Sequence, residues 1–224
     1  MTQAIGDILP SAIGVALSPV PIIAVILILG TPRARSNGPG FAAGWVLGLI
    51  VVNVIALAVT GGADEGDSSS ANGVHIAKLV FGLLFIVMAA RQWSKRPARG
   101  EAATMPAWMS SLDGIAAGRS TVLGAALSGV NPKNLALTFA AAASMSQAGL
   151  TGGQSVAAVA VFVIIASLTV AGPVVYFMVA SERATKTLGP VKEFMSDHNA
   201  VIMMVVLLVL GAKLVGAGLA GLAN

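Results

Sequence analysis

Gly14-Val-Ala-Leu-Ser-Pro-Val20 and Gly124-Ala-Ala-Leu-Ser-Gly-Val130 are two copies of one phrase, 110 positions apart. Each leads into a helix-breaking proline, Pro21 after the first and Pro132 after the second. Five of the seven aligned positions are identical: Gly14/Gly124, Ala16/Ala126, Leu17/Leu127, Ser18/Ser128 and Val20/Val130. Proline-broken segments at corresponding places in two halves of an apolar chain are the sequence mark of a membrane transporter's binding region.

The surroundings of both copies are apolar. Of 224 residues 56% are hydrophobic and 10% charged, against roughly 25% charged in soluble domains, and the mean hydropathy is +0.89. Crossing a bilayer core takes about 20 apolar residues as helix. Six stretches qualify, at about 5–30, 41–60, 74–90, 118–147, 153–180 and 199–222. The expected fold is an all-α integral membrane domain over residues 1–224, with six transmembrane helices. These would form two inverted three-helix repeats, about 1–95 and 110–224, with spans 1 and 4 broken at prolines and a loop at about 91–117. Span 1 lacks the basic leader and small-residue cleavage site of a signal peptide and is expected to be retained.

Charge gives the orientation. Ten of the 13 Lys and Arg fall in three connections: Arg33 and Arg35; Arg91, Lys95, Arg96, Arg99 and Arg119; Arg183, Lys186 and Lys192. The loop after span 2 carries Asp64, Glu65 and Asp67, and that after span 4 carries no charge. The positive-inside rule puts the basic loops in the cytoplasm and both termini outside, in a multi-pass plasma-membrane protein. The basic pI of about 9.9 therefore points to topology and anionic lipid, and no nucleic-acid partner is expected.

Inside the spans, Ser18-Pro19-Val20-Pro21 cannot continue as undisturbed helix, because proline lacks the amide hydrogen. Asn131-Pro132-Lys133-Asn134 makes a second break and adds a charge and two amides. An intramembrane lysine costs about 2.5–3.5 kcal/mol to insert; Lys133 either serves a ligand or pairs with a freed carbonyl. Crossing of the two breaks would gather Ser18, Ser128, Asn131, Lys133 and Asn134 beside helix N-termini, an arrangement suited to an anionic group. The candidate substrate-binding residues are Ser18, Pro19, Pro21, Ser128, Asn131, Pro132, Lys133 and Asn134. Asp7 and Asp113 are either proton-coupling carboxylates or interfacial caps.

Asn53 reads as a helix–helix hydrogen bond. Gly40, Gly44 and Gly48 form a close-approach face, for packing within the chain or in a homodimer. Gly172-Pro173 predicts a third break, before Tyr176. Pro106 to Leu112 reads as an interfacial piece with Trp108 and Met109 at headgroup depth. A second match, Ala77-Lys-Leu-Val80 with Ala212-Lys-Leu-Val215, has a spacing of 135; it does not fit the repeat and reads as coincidence.

With no cysteine, thiol chemistry is excluded. There is no phosphate-loop motif, and His75 and His198 stand apart, so no enzyme activity, cofactor or metal is expected.

The residues also resemble a family. Ser18-Pro-Val-Pro-Ile-Ile-Ala24, Gly40-Phe-Ala-Ala-Gly-Trp-Val-Leu-Gly48, Arg91-Gln-Trp93, Trp108-Met109, Ser128-Gly-Val-Asn-Pro-Lys-Asn134 and His198-Asn-Ala-Val-Ile202 run from span 1 to span 6. The proline break in span 1, the Asn-Pro-Lys of span 4 and the six-span length resemble the lysine exporter (LysE) superfamily, and within it the ordered phrases are similar to the GAP, or Sap, branch of peptidoglycolipid- and sulfolipid-addressing proteins. The resemblance implies an exporter of cell-envelope glycolipid, or of another anionic amphiphile, in contact with membrane lipids. Two alternatives stand beside it: an exporter of a small amino acid or cation, and a non-transporting accessory of a larger lipid exporter. Span 1 here reads Ser-Pro-Val-Pro where amino-acid exporters commonly have Pro-Gly-Pro.

Overall fold

Proline divides the first apolar segment in two. A computed structural model describes residues 2–61, 68–94, 96, 109, 112, 114–150 and 152–223. Among these are nine α-helices and no strand: α1 (Thr2–Ala16), α2 (Pro19–Leu29), α3 (Ala34–Gly61), α4 (Ser68–Ser94), α5 (Ala117–Gly129), α6 (Pro132–Gln147), α7 (Gly153–Val179), α8 (Ser181–Asp197) and α9 (Asn199–Leu222). α1 and α2 are bent by 51° at Leu17 and Ser18. Ser18 is extended, with φ −94° and ψ 105°, and Pro19 opens α2. Pro19 and Pro21 both sit in the first turn, where backbone amides have no intrahelical partner, so α2 loses no hydrogen bond to them.

The second break repeats this grammar. Asn131 is extended, with φ −65° and ψ 118°, and Pro132 opens α6. In the register of the repeated phrase, however, it falls three residues later, about one helical turn. Ser18 stands at its break, whereas Ser128 is still inside α5.

Among the described residues four helices are long and apolar enough to cross a membrane: Ala34–Thr60, His75–Ser94, Gly153–Val179 and Asn199–Leu222. Counting α1–α2 as one bent span makes five. The remaining expected span, 118–147, is the α5–α6 pair of 13 and 16 residues.

Hydrogen bonds fix how that pair lies. Asn37 Nδ2 donates to Ile115 O at 2.8 Å and Ser120 Oγ donates to Asn37 O at 2.7 Å, joining the starts of α3 and α5. The Thr60 and Ser146 hydroxyls meet at 3.1 Å, joining the ends of α3 and α6. Together α5 and α6 therefore run the length of α3.

Glycine makes the close seams. A Cβ on Gly44 or Gly124 would collide with the backbone of Thr121 or Phe41, and one on Gly48 with Ser128 and Ala125, so α3 and α5 touch backbone to backbone. α4 and α9 meet likewise, through Gly82, Gly211 and Gly218. The core gathers Ile8, Ile28, Phe41, Trp45, Phe85, Leu137 and Phe162. α2 is apolar on all sides and almost wholly buried, as a helix enclosed by others must be. Val54, Val59, Leu83, Val87, Ile164, Leu168, Leu208 and Val209 are exposed, a surface suited to lipid.

Three expectations are corrected. α7 runs unbroken through Pro173 and ends at Val179, so Gly172-Pro173 is not a break; neighbouring helices tolerate the missing amide. The connection before the last span is itself a helix, α8, packed on α2 and α7. Its inward residues Ala184, Leu188 and Met195 have helical spacing that the polar composition hid. Met109 is buried against protein, as is Leu112; Trp108 lies outside the described residues.

Candidate functional site

A helix that ends inside a membrane leaves carbonyls with no amide to bind, and carries partial negative charge there. At the end of α1 two side chains from the second half supply the donors. Lys133 Nζ donates to Gly14 O at 2.6 Å and to Ser18 Oγ at 2.6 Å. Thr169 Oγ1, from α7, donates to Ala16 O at 2.7 Å. Lys133 is 1% exposed. Its position follows from the second break: Asn131 Oδ1 accepts the Lys133 N–H at 3.0 Å, capping α6 and fixing its first turn.

The bonds continue across both breaks. Ser18 Oγ donates to Asn134 Oδ1 at 3.4 Å, and Asn134 Nδ2 donates to Leu127 O at 3.2 Å, at the end of α5. Ser18, Lys133 and Asn134, all buried, thus link the ends of α1, α2, α5 and α6. Pro19 and Pro21 are buried behind Ser18, whereas Pro132 is exposed.

Not every predicted residue joins. Ser128 Oγ turns back to Ala125 O at 3.0 Å and lies against Gly48 in the α3–α5 seam, a consequence of the one-turn offset between the breaks. Asn131 serves its own helix. The Lys133 ammonium, expected beside helix N-termini to suit an anion, is turned to the carbonyl end of α1. Asn53 does not make the interhelical bond expected of it: Nδ2 donates to Leu49 O, one turn back at 2.8 Å, and Oδ1 is buried without a partner. Gly40, Gly44 and Gly48 face α5 of the same chain. Asp113 lies outside the described residues.

Toward the end of the bundle where α1 begins and α9 finishes, a cavity of about 510 Å³ opens between α1, α4, α6 and α9. Gln3, Asp7, Ser11, Lys78, Gln147 and Lys213 supply its polar wall. Lys78 Nζ donates to Gln147 Oε1 at 2.7 Å, and Lys213 Nζ to the Asp7 carbonyl at 3.0 Å. Leu137 and Leu210 also line it, and both crowd Gly14, leaving no room for a Cβ. The two leucines thus touch both the cavity and Gly14, whose carbonyl accepts from Lys133. From the sequence Lys213 reads as a snorkelling lysine about nine residues from the outer end of span 6, and the tetrapeptide it shares with Lys78 reads as coincidence. The usable signal was the cost of each lysine inside a span.

The family model described as Sap, sulfolipid-1-addressing protein, matches residues 8–220. No curated protein and no solved structure matches the chain. The match takes in both breaks and all the cavity-lining residues except Gln3, Ala4 and Asp7. The chain belongs to the sulfolipid-1-addressing protein family.

Proposed function

We propose, with that membership as premise, that this chain is a plasma-membrane exporter of an anionic cell-envelope lipid, working by alternating access around its two broken spans. The observation that carries the reading is the hydrogen-bonded junction of Lys133 with Gly14 and Ser18, which ties the first half to the second where both helices are interrupted.

The α5–α6 pair serves as the sixth crossing, since it is bonded to both ends of the spanning helix α3. Packing supports inverted repeats: exchanging the halves carries the α3–α5 contact onto α7–α1, α3–α6 onto α7–α2, and α4–α9 onto itself. With Arg33, Arg35, Arg91 and Arg183 at one end, the positive-inside rule assigns that end to the cytoplasm and the cavity and termini to the outside. Leu137 and Leu210 then close the cavity above the junction. Rocking of the halves slides α1 along α6, draws the leucines off Gly14 and opens the breaks to the other side. The drive comes from a gradient or a partner, because the sequence has no nucleotide-phosphate loop. The lipid reading is preferred to a small amino acid or cation because the family is described by a lipid. An accessory role would need a partner surface other than the Gly40–Gly44–Gly48 face, which α5 fills.

Lys133→Ala, Lys133→Met and Asn131→Ala test the reading in cells lacking the native protein, with surface lipid extracted and weighed against membrane-inserted protein. Export per inserted protein should fall to background. Full export in all three variants rejects the junction as the working site.

A further inference from the structure

The charged cavity is not an isolated chamber. Beside it lies a groove of about 280 Å³ walled by Val59, Ala77, Phe81, Phe139 and Ala143. Lys78, Ala140 and Leu214 line both spaces. Val59 and Phe81, at the edge of the groove, are exposed apolar residues of α3 and α4.

The two halves of this double site differ in chemistry. The cavity wall carries two ammonium groups, and Asp7 is the only carboxylate among the described residues lining it. One positive charge is left over. Each ammonium has three donors, and among the described residues Lys78 and Lys213 each make one hydrogen bond to protein. The groove offers hydrocarbon walls and the methylene stem of Lys78, whose charged end reaches the polar side. A cavity of this size lies within the roughly 300–1,000 Å³ of small-molecule sites.

We propose that this pair of spaces is one binding site for a singly anionic, single- or double-chain amphiphile. Lys78 and Lys213 hold the headgroup, and an alkyl chain lies in the groove between α3, α4 and α6. The site deepens the lipid-export reading and rests on it, by giving the exported lipid a place outside the Leu137–Leu210 closure. Charge complementarity selects the headgroup and continuity of the two walls selects a chain attached to it. A free anion would use only the cavity.

Native mass spectrometry of the purified full chain tests this directly. The probes are phosphatidylglycerol, phosphatidylcholine with the same acyl chains, and glycerol phosphate. Phosphatidylglycerol should be retained at least about tenfold better than phosphatidylcholine, and glycerol phosphate should not displace it at equal concentration. Lys78→Gln with Lys213→Gln should erase the preference, and Lys78→Arg with Lys213→Arg should keep it. Ala77→Trp should lower retention of phosphatidylglycerol by blocking the groove. Gel-filtration elution at the native volume shows that each variant is folded.

Undiminished retention of phosphatidylglycerol by the double glutamine variant overturns the site while leaving export by the Lys133 junction standing. Displacement by glycerol phosphate overturns it too, since the occupant would then be a plain anion. Selective retention lost in the glutamine variant, kept in the arginine variant and lowered by Ala77→Trp supports the site, whatever Lys133→Ala does to export.

Discussion

Lys133 is a charge fixed by the end of another helix. Its ammonium bonds a carbonyl at the C-terminal end of α1 and a hydroxyl at the break, so removing it leaves buried acceptors without a donor. Hydrogen bonds from charged groups contribute about 1.5–3 kcal/mol each, whereas burying the ammonium opposes that gain. Lys133→Met keeps the length of the stem and should destabilise the protein by about 1–3 kcal/mol. Lys133→Ala also empties the space of the stem and should cost a further ~2–5 kcal/mol. Thermal unfolding in detergent checks both, and a Met variant as stable as the native protein would mean that Gly14 O has no need of the cation. The lysine was legible in the sequence, because a charge ten or more residues from either end of an apolar segment stands out. Its partners were not, since a backbone carbonyl at Gly14 leaves no trace in the identity of residue 14.

Among the elements, the α3–α5 seam depends most on individual residues. A methyl on Gly44 would overlap the Thr121 backbone, and one on Gly124 the Phe41 carbonyl, neither of which moves without its helix. Overpacking of this kind costs about 1–3 kcal/mol. Gly118, on the same helix α5, has open space around it. Gly118→Ala should therefore leave stability unchanged or raise it by up to ~1 kcal/mol through helix propensity. Gly44→Ala and Gly124→Ala should lower the unfolding temperature in detergent, and equal melting of all three variants would mean that the helices are not in backbone contact. The spacing of Gly40, Gly44 and Gly48 made a close face legible, and the prolines at 19 and 132 made both breaks legible. The partner of that face was not, because small residues permit contact without naming what makes it. α8 was missed for a related reason: ten of its 17 residues are Ser, Thr or charged, and that polarity masked Ala184, Leu188 and Met195.

At the scale of the molecule, the three lysines left over from the basic loops divide between two depths. Lys78 and Lys213 line the cavity, and Lys133 is buried at the carbonyl of Gly14, the residue that Leu137 and Leu210 crowd. Neither the cavity nor its closure could be read from the chain: the cavity is lined from both halves, and Leu137 and Leu210 of the second half close on Gly14 of the first, with no shared spacing to mark them. The chain's lack of cysteine lets single introduced thiols report on this arrangement against a silent background. With the basic end in the cytoplasm, a membrane-impermeant maleimide added to intact cells should label Gln3→Cys and Ser11→Cys through the cavity. It should not label Ser94→Cys, at the basic end of α4, until the cells are opened. Ser18→Cys lies behind the leucines and is 3% exposed as serine. It should label at least about tenfold more slowly than Ser11→Cys. Adding Leu210→Ala should remove most of that difference without changing the rate at Ser11→Cys, because the alanine leaves a path past Leu137 to the break. Fast labelling of Ser18→Cys with Leu210 intact would show that the leucines do not close the cavity. Labelling of Ser94→Cys before Gln3→Cys would invert the orientation and put the two-lysine cavity on the cytoplasmic face, where it would load the lipid instead of releasing it.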